Sequence, residues 1–214
     1  MVNAKSYDPR MEKMPVLISY PRSDSNWLNA IMELYFNRPR LRIGPTTFLK
    51  NRDSRTDFMW FHDHDIHSNL TLSHDNILYL YRNPCDVIFS LLMAEHPKAM
   101  SRLAGASVLT LVGAQIELIS KHYEKYLKYT SIRYEDCKKD LPKEFETILR
   151  FFGKEKPVDR NKLLCCVNRI RKADLVAKAT DKRYFNQKMM NEEYEKKRSA
   201  FRQFYGELIY SELG

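Results

Sequence analysis

Residues 16–36, VLISYPRSDSNWLNAIMELYF, decide the fold. Val16-Leu17-Ile18-Ser19-Tyr20 is a short apolar run stopped by Pro21, which reads as a buried strand. After a polar loop, Leu28, Ile31, Met32, Tyr35 and Phe36 recur at i, i+3, i+4, i+7 and i+8, one face of a helix. The same strand-loop-helix order returns downstream. Ile77-Leu78-Tyr79-Leu80-Tyr81 is strand-like, Arg82-Asn83-Pro84 turns the chain, and Asp86 is placed to cap a helix through Val87, Ile88, Leu91 and Leu92. The pattern predicts a long helix over 106–128 and a short strand near Thr130-Ser131-Ile132-Arg133-Tyr134. A further helix is expected from Pro142, a good first-turn residue, to Gly153, a good stop. From Asn161 onward the chain reads as helices and loops. Strands alternating with helices imply an α/β fold in three layers, a central parallel sheet flanked by helices on both faces. Such sheets bind ligands outside the carboxyl ends of their strands. No internal repeat, low-complexity tract or dividing linker interrupts the chain, so residues 1–214 are expected to form a single domain.

Composition narrows the function classes. A hydrophobic content of 43% with 13 Tyr and 11 Phe argues for a packed core rather than disorder. No apolar run approaches the roughly 20 residues needed to cross a bilayer. The start, MVNAKSYDPRMEKM, has no hydrophobic signal core, so a cytoplasmic location without membrane attachment is expected, and the Asn69-Leu70-Thr71 sequon is read as coincidence. The four cysteines, Cys85, Cys137, Cys165 and Cys166, show no C-x-x-C spacing, which fits a reducing compartment and buried thiols. The net charge of +9 suits nucleic acid, an anionic membrane or an anionic small molecule, but the basic residues are scattered. The densest cluster, Glu195-Lys196-Lys197-Arg198, follows Glu192 and Glu193 and reads as a solvated helix face. Neither a nucleic acid nor a membrane is expected as partner.

The loop Pro21-Arg22-Ser23-Asp24-Ser25-Asn26-Trp27 joins the first strand to its helix. Backbone N–H groups and the dipole at a helix start favour a phosphate or sulfate. Ser23, Ser25 and Asn26 add short donors, Arg22 a positive fork, and Trp27 a flat face for a purine. The plainer reading of the same residues is a helix cap by Ser25 or Asn26 with Trp27 in the core. A P-loop kinase would carry G-x-x-x-x-G-K-[ST] here, and this loop has neither glycine nor lysine.

Three segments in order carry a resemblance to the PAPS-dependent sulfotransferases, where PAPS is 3′-phosphoadenosine 5′-phosphosulfate. Tyr20-Pro21-Arg22-Ser23-Asp24-Ser25-Asn26-Trp27-Leu28 resembles their 5′-phosphosulfate loop, Y-P-K-S-G-T-x-W-L. Tyr81-Arg82-Asn83-Pro84-Cys85-Asp86-Val87-Ile88-Phe89-Ser90 resembles their 3′-phosphate motif, R-N-P-x-D-x-x-x-S. Ile132-Arg133-Tyr134-Glu135-Asp136 is similar to their Y-E-D segment, and Lys182-Arg183-Tyr184-Phe185 through Met190-Asn191-Glu192 is more loosely similar to a late W-K-N-x-F…N-E stretch. The resemblance implies the P-loop-like sulfotransferase fold. It implies that Arg22, Ser23, Asp24, Ser25 and Asn26 surround the 5′-phosphosulfate and that Arg82 and Ser90 hold the 3′-phosphate. Trp27 and Tyr134 would flank the adenine. PAPS would be the donor, 3′-phosphoadenosine 5′-phosphate (PAP) the product, and no metal would be needed. The chain departs from the family at Asp24, where glycine is usual, and at Arg22, where lysine is common. The family's R-K-G triplet is not evident. Arg171-Lys172 or Lys182-Arg183 would have to complete the 3′-phosphate pocket.

Phe58-Met59-Trp60-Phe61-His62-Asp63-His64-Asp65-Ile66-His67 is rich in His and Asp. Sulfotransferases place a catalytic base in a K-T-H-like segment after a short strand between the two phosphate motifs. His64 fits that place best and His62 second, with Asp65 or Asp63 to orient the ring. A histidine near neutral pKa takes the proton from an acceptor hydroxyl as it attacks sulfur, and Arg22 would stabilise charge on the leaving oxygen. The same residues partly resemble the H-x-H-x-D-H metal motif of metallo-β-lactamase-like hydrolases, with Ile66 where that motif needs Asp. The expected activity is therefore in-line sulfuryl transfer from PAPS to a hydroxyl, less readily an amine, of a small molecule or glycan. A non-catalytic nucleotide-binding relative, a P-loop kinase and a metal-dependent hydrolase are the alternatives.

Overall fold

The computed structural model describes residues 14–41, 56–66, 76–180 and 192–213, with residues 172–180 described by backbone alone. In chain order the elements are β1 (Val16–Ser19), α1 (Ser25–Phe36), β2 (Phe61–Asp63), β3 (Ile77–Tyr81), α2 (Pro84–Glu95), α3 (Ala106–Tyr126), β4 (Thr130–Arg133), α4 (Tyr134–Lys139), α5 (Leu141–Phe151), α6 (Arg160–Thr180) and α7 (Glu192–Leu213). A 3-10 turn at Ala99–Ser101 lies between α2 and α3. The strands form one sheet in the order β2-β1-β3-β4, and every neighbouring pair is parallel. Val16 faces Phe61 on one side and Ile77 on the other, so β1 and β3 are the two interior strands.

Alternation along the strands sorts the side chains into two layers, as a sheet covered on both faces requires. Leu17, Leu78, Leu80 and Ile132 pack on one face with Leu28, Ile31 and Met32 of α1, Phe145 and Ile148 of α5, and Leu163 and Ile170 of α6. Val16, Ile18, Ile77 and Tyr79 face the other way, against Tyr126 of α3. Beyond them, α2, α3 and α7 pack together through residues such as Val87, Ile88, Val112, Ile119, Phe201 and Ile209. The expected three-layer α/β arrangement is the one present. Among the described residues no helix is long and apolar enough to cross a membrane.

Four local expectations change. The second helix starts at Pro84, and its cap is Asn83, whose side chain accepts a hydrogen bond from the Cys85 N–H. Asp86 lies inside the first turn and is clasped by Arg198 and Arg202 of α7. Arg198 therefore leaves the solvated face to which its Glu-Lys-Lys-Arg setting assigned it. Lys196 and Lys197 do make exposed i,i+4 pairs with Glu192 and Glu193. The fourth strand ends at Arg133, because Tyr134 already opens α4. Helix α5 begins one residue before Pro142, capped by Asp140 through the Lys143 N–H, and Gly153 follows it at a left-handed φ of 64°.

Candidate functional site

The carboxyl ends of β1, β2 and β3 lie side by side, so the loops that leave them meet at one edge of the sheet. The loop after β1 turns sharply. The Ser23 N–H donates to the Tyr20 carbonyl at 3.2 Å, and Arg22 and Asp24 take left-handed φ values of 68° and 58°. A left-handed residue with a side chain costs about 1–2 kcal/mol, least for Asp and Asn, and glycine avoids the cost. That is the physical reason why aspartate is tolerated at position 24. Asp24 is the residue before α1, its carbonyl accepts from the Trp27 N–H at 3.0 Å, and its side chain makes no capping hydrogen bond. The α1 start is anchored to β2: the Asn29 amide donates to the Ser25 carbonyl at 2.8 Å and accepts from the Trp60 indole at 2.8 Å.

The second loop leans on the first. Arg82 Nη1 donates to the Arg22 carbonyl at 3.1 Å and to Asp24 Oδ2 at 2.7 Å. Arg22 Nε donates to Ser90 Oγ at 2.9 Å. Arg82 thus reaches into the loop after β1, and Arg22 reaches the helix that follows β3. The resemblance separates Arg22 from Ser90 as binders of different ends of a nucleotide, whereas the fold hydrogen-bonds them. Asp24 pairs with Arg82. Ser23 Oγ and Arg82 Nε are buried and lack a hydrogen-bond partner among the described residues, although their residues are only 1% and 8% exposed. Buried donors left in this state favour an incoming acceptor, and both belong to loops suited to an anion.

The aromatic side of the site is a corner. The Trp27 and Tyr134 rings are 5.9 Å apart at 83°, so they touch edge to face rather than opposing each other across a gap. Arg82 lies 4.9 Å from the Tyr134 ring centre and Lys138 lies 5.3 Å from that of Trp27. Burial raises the Tyr134 phenol, and the Asp24 carboxylate adds to that. The Tyr123 hydroxyl and the Glu135 carboxylate hold the Arg82 carbonyl and the Asn83 N–H at 2.8 and 2.9 Å.

His62 and His64 both meet Ser19 at the end of β1. His62, 2% exposed within β2, places Nε2 3.2 Å from Ser19 Oγ. His64 emerges past the strand and places Nδ1 2.7 Å from the Ser19 carbonyl. A carbonyl only accepts, so Nδ1 carries the proton there and Nε2 is the basic nitrogen of the ring. Ser19 orients this ring. Asp63 Oδ1 accepts from the backbone N–H groups of His64 and Asp65 at 2.7 and 2.9 Å. The Asp65 carboxylate is held by Lys125 at 2.8 Å and by the Tyr126 hydroxyl. His122 Nε2 donates to the His64 carbonyl at 2.9 Å and its Nδ1 accepts from Tyr79 at 2.9 Å. Burial pushes the His122 imidazole down to about 4, so it is neutral at physiological pH. Among the described residues no group of three or more His, Cys, Asp or Glu is arranged to hold a metal ion, and His67 lies outside them.

Several contributors escaped the sequence reading: Ser19, His122, Lys125, Tyr126 and Tyr194. Tyr194 on α7 is buried, which raises its phenol, and Ser90, Arg82 and Arg22 act on it in the opposite direction. A signal existed for the α3 residues, since His122 and Tyr126 are polar side chains at the core spacing of a predicted helix. Lys182 and Arg183 lie outside the described residues. Arg171 is exposed on α6, and the side chain of Lys172 is not described.

With this geometry in view, a family model described as "Sulfotransferase domain" matches residues 59–206. The match begins after the β1 loop and so does not include Arg22 to Trp27. Among solved structures the chain is similar to the mouse sulfotransferase SULT7A1 complexed with PAP, at 20% identity and a TM-score of 0.49, over 73% of this chain and 63% of that one. The chain thus spans less than two thirds of that protein's length. No curated protein matches it.

Proposed function

The chain belongs to the sulfotransferase domain family, and from that premise we propose that it transfers a sulfuryl group from PAPS to a hydroxyl of a small-molecule or glycan acceptor. The observation that carries this reading is the convergence of two arginines from two strand-ends. Arg22 and Arg82 are interlocked through Ser90 and Asp24, beside buried donors on Ser23 and Arg82. A nucleotide with phosphates at both ends needs two cationic positions joined by a short path, and these loops provide them.

PAPS supplies the activated sulfuryl group and a bisphosphate leaving group. Ser23, Ser25 and Asn26, at the start of α1, bind the 5′ end with the helix dipole behind them. Arg82 and Ser90 bind the 3′-phosphate. Arg22, bonded to Ser90, neutralises charge where the two loops meet and brings to the pocket a cation that the family's triplet would otherwise bring. Lys182 and Arg183 are the further pair assigned to that phosphate. Trp27 and Tyr134 offer the adenine the two walls of a corner. His64 Nε2 accepts the acceptor's proton while Ser19 fixes the ring; His62, buried in the strand, is the second choice. No step uses a metal. The whole of residues 1–214 is taken as one domain. Buried thiols at Cys85, Cys137 and Cys166 support a reducing, cytoplasmic setting.

The Asp24–Arg82 pair favours one second reading, a relative that binds nucleotide without turnover. Release of PAP from PAPS, measured against a panel of phenolic and saccharide acceptors, separates the two. Acceptor-dependent release that is lost in His64→Ala, with PAP binding retained, is the expected result. Release that persists unchanged in His64→Ala would move the base to His62, and absence of release with every acceptor would favour the binding protein.

A further inference from the structure

Asp24 places a carboxylate in the middle of a site otherwise built for anions. Its Oδ2 lies 2.7 Å from Arg82 Nη1; the carboxylate is 35% exposed and the guanidinium 9%. That nitrogen also serves the Arg22 carbonyl at 3.1 Å, while the guanidinium lies against the Tyr134 ring. Arg82 therefore meets its anion from within the chain, and its Nε is buried without a hydrogen-bond partner among the described residues.

We propose that Asp24 is a specificity-determining residue, an internal competitor of the nucleotide 3′-phosphate for Arg82. The proposal rests on the PAPS reading. A 3′-phosphate that reaches Arg82 either takes over the Nη1 bond or sits beside a carboxylate on the same guanidinium. The first breaks a charge-assisted hydrogen bond, and the second adds like-charge repulsion. Both lower the affinity for 3′-phosphorylated nucleotides. A nucleotide without that phosphate leaves the Asp24–Arg82 pair intact and bears neither cost. Asp24 therefore narrows the preference for PAP over adenosine 5′-monophosphate (AMP) that Arg82 would otherwise impose. Backbone conformation is compatible with this role, because aspartate and asparagine both tolerate the left-handed φ of 58° found there.

The test is calorimetric titration of the full chain and of Asp24→Asn with PAP and with AMP. Asparagine keeps the shape and the left-handed backbone and removes the charge. Should it fail to fold, as judged by thermal melting, Asp24→Gly serves instead, since glycine suits the same φ. The PAP-to-AMP affinity ratio is expected to rise by about tenfold, the scale of one displaced charge-assisted bond. A ratio that stays the same or falls, with PAP still bound by the unsubstituted chain, overturns the proposal and leaves the PAPS reading standing. If neither protein binds PAP, the PAPS reading falls and takes the proposal with it.

Discussion

His122 lies on the core face of α3, 1% exposed, between the Tyr79 hydroxyl and the His64 carbonyl. Burial holds its pKa down at about 4 against an ordinary 6.5. The unfolded chain therefore binds a proton between those values that the folded chain refuses. Stability from this group is complete above pH 6.5 and is lost as the pH falls toward 4, by about 3 kcal/mol at most. Denaturant melts from pH 7 to pH 4.5 should show that slope, and His122→Gln should flatten it. Beside it, Asp65 takes a left-handed φ of 39° and is held by Tyr126 and Lys125. Tyr126→Phe removes one of these holds on the loop that carries His64. It is expected to cost about 1 kcal/mol of stability and to lower turnover while PAP affinity stays within twofold. A matched loss of PAP affinity would place Tyr126 in the nucleotide pocket instead. Little of this level is written locally. Asp24 and Arg82 are 58 residues apart, and Arg22 and Ser90 are 68 apart. Motif spacing pointed to these loops, but it does not determine which cation meets which anion.

Elements were more legible, because periodicity reports directly on which face is buried. The apolar runs at 16–20 and 77–81 are interior strands, and the i, i+3, i+4 series after Leu28 is the buried face of α1. Where two signals compete, the boundary moves: Tyr134 favours a strand by type, yet the Glu135 and Asp136 that follow suit a helix first turn. Strand β2 is three residues long and exists through its pairing with β1, so no pattern of its own defines it. Helix α7 is joined to α2 by charge as well as by packing. Burial alone would raise the Asp86 carboxyl, but hydrogen bonds from Arg198 and Arg202 outweigh it and hold the pKa below its ordinary value. That contribution is present above the ordinary carboxylate pKa and disappears as the pH falls below it. Asp86→Ala removes the shared partner of Arg198 and Arg202, whose side chains are 25% and 44% exposed and so stay partly solvated, and should cost about 1–3 kcal/mol. Hydrogen exchange should then speed up first in α7. Uniform acceleration across the sheet would mean that Asp86 serves the fold as a whole.

For the whole molecule, an all-parallel sheet with helices on both faces sets three loops at one edge, and each brings a different chemistry. The loop after β1 brings small donors and a helix start, the loop after β3 brings an arginine, and the end of β2 with the residues just after it brings His62 and His64. Fold class was readable because it follows from element order. The contacts between the loop after β1 and the segment after β3 were not, because they depend on the sheet placing β1 between β2 and β3. The central claim is that this edge binds a nucleotide phosphorylated at both its 3′ and 5′ ends. The most direct test is calorimetric titration with PAP and with ATP in chelator-treated buffer, on the full chain and on Arg82→Ala. PAP is expected to bind without metal, about a hundredfold more weakly in the variant, with ATP bound far more weakly than PAP. Equal PAP affinity in the two proteins, or ATP bound as tightly as PAP, would contradict it.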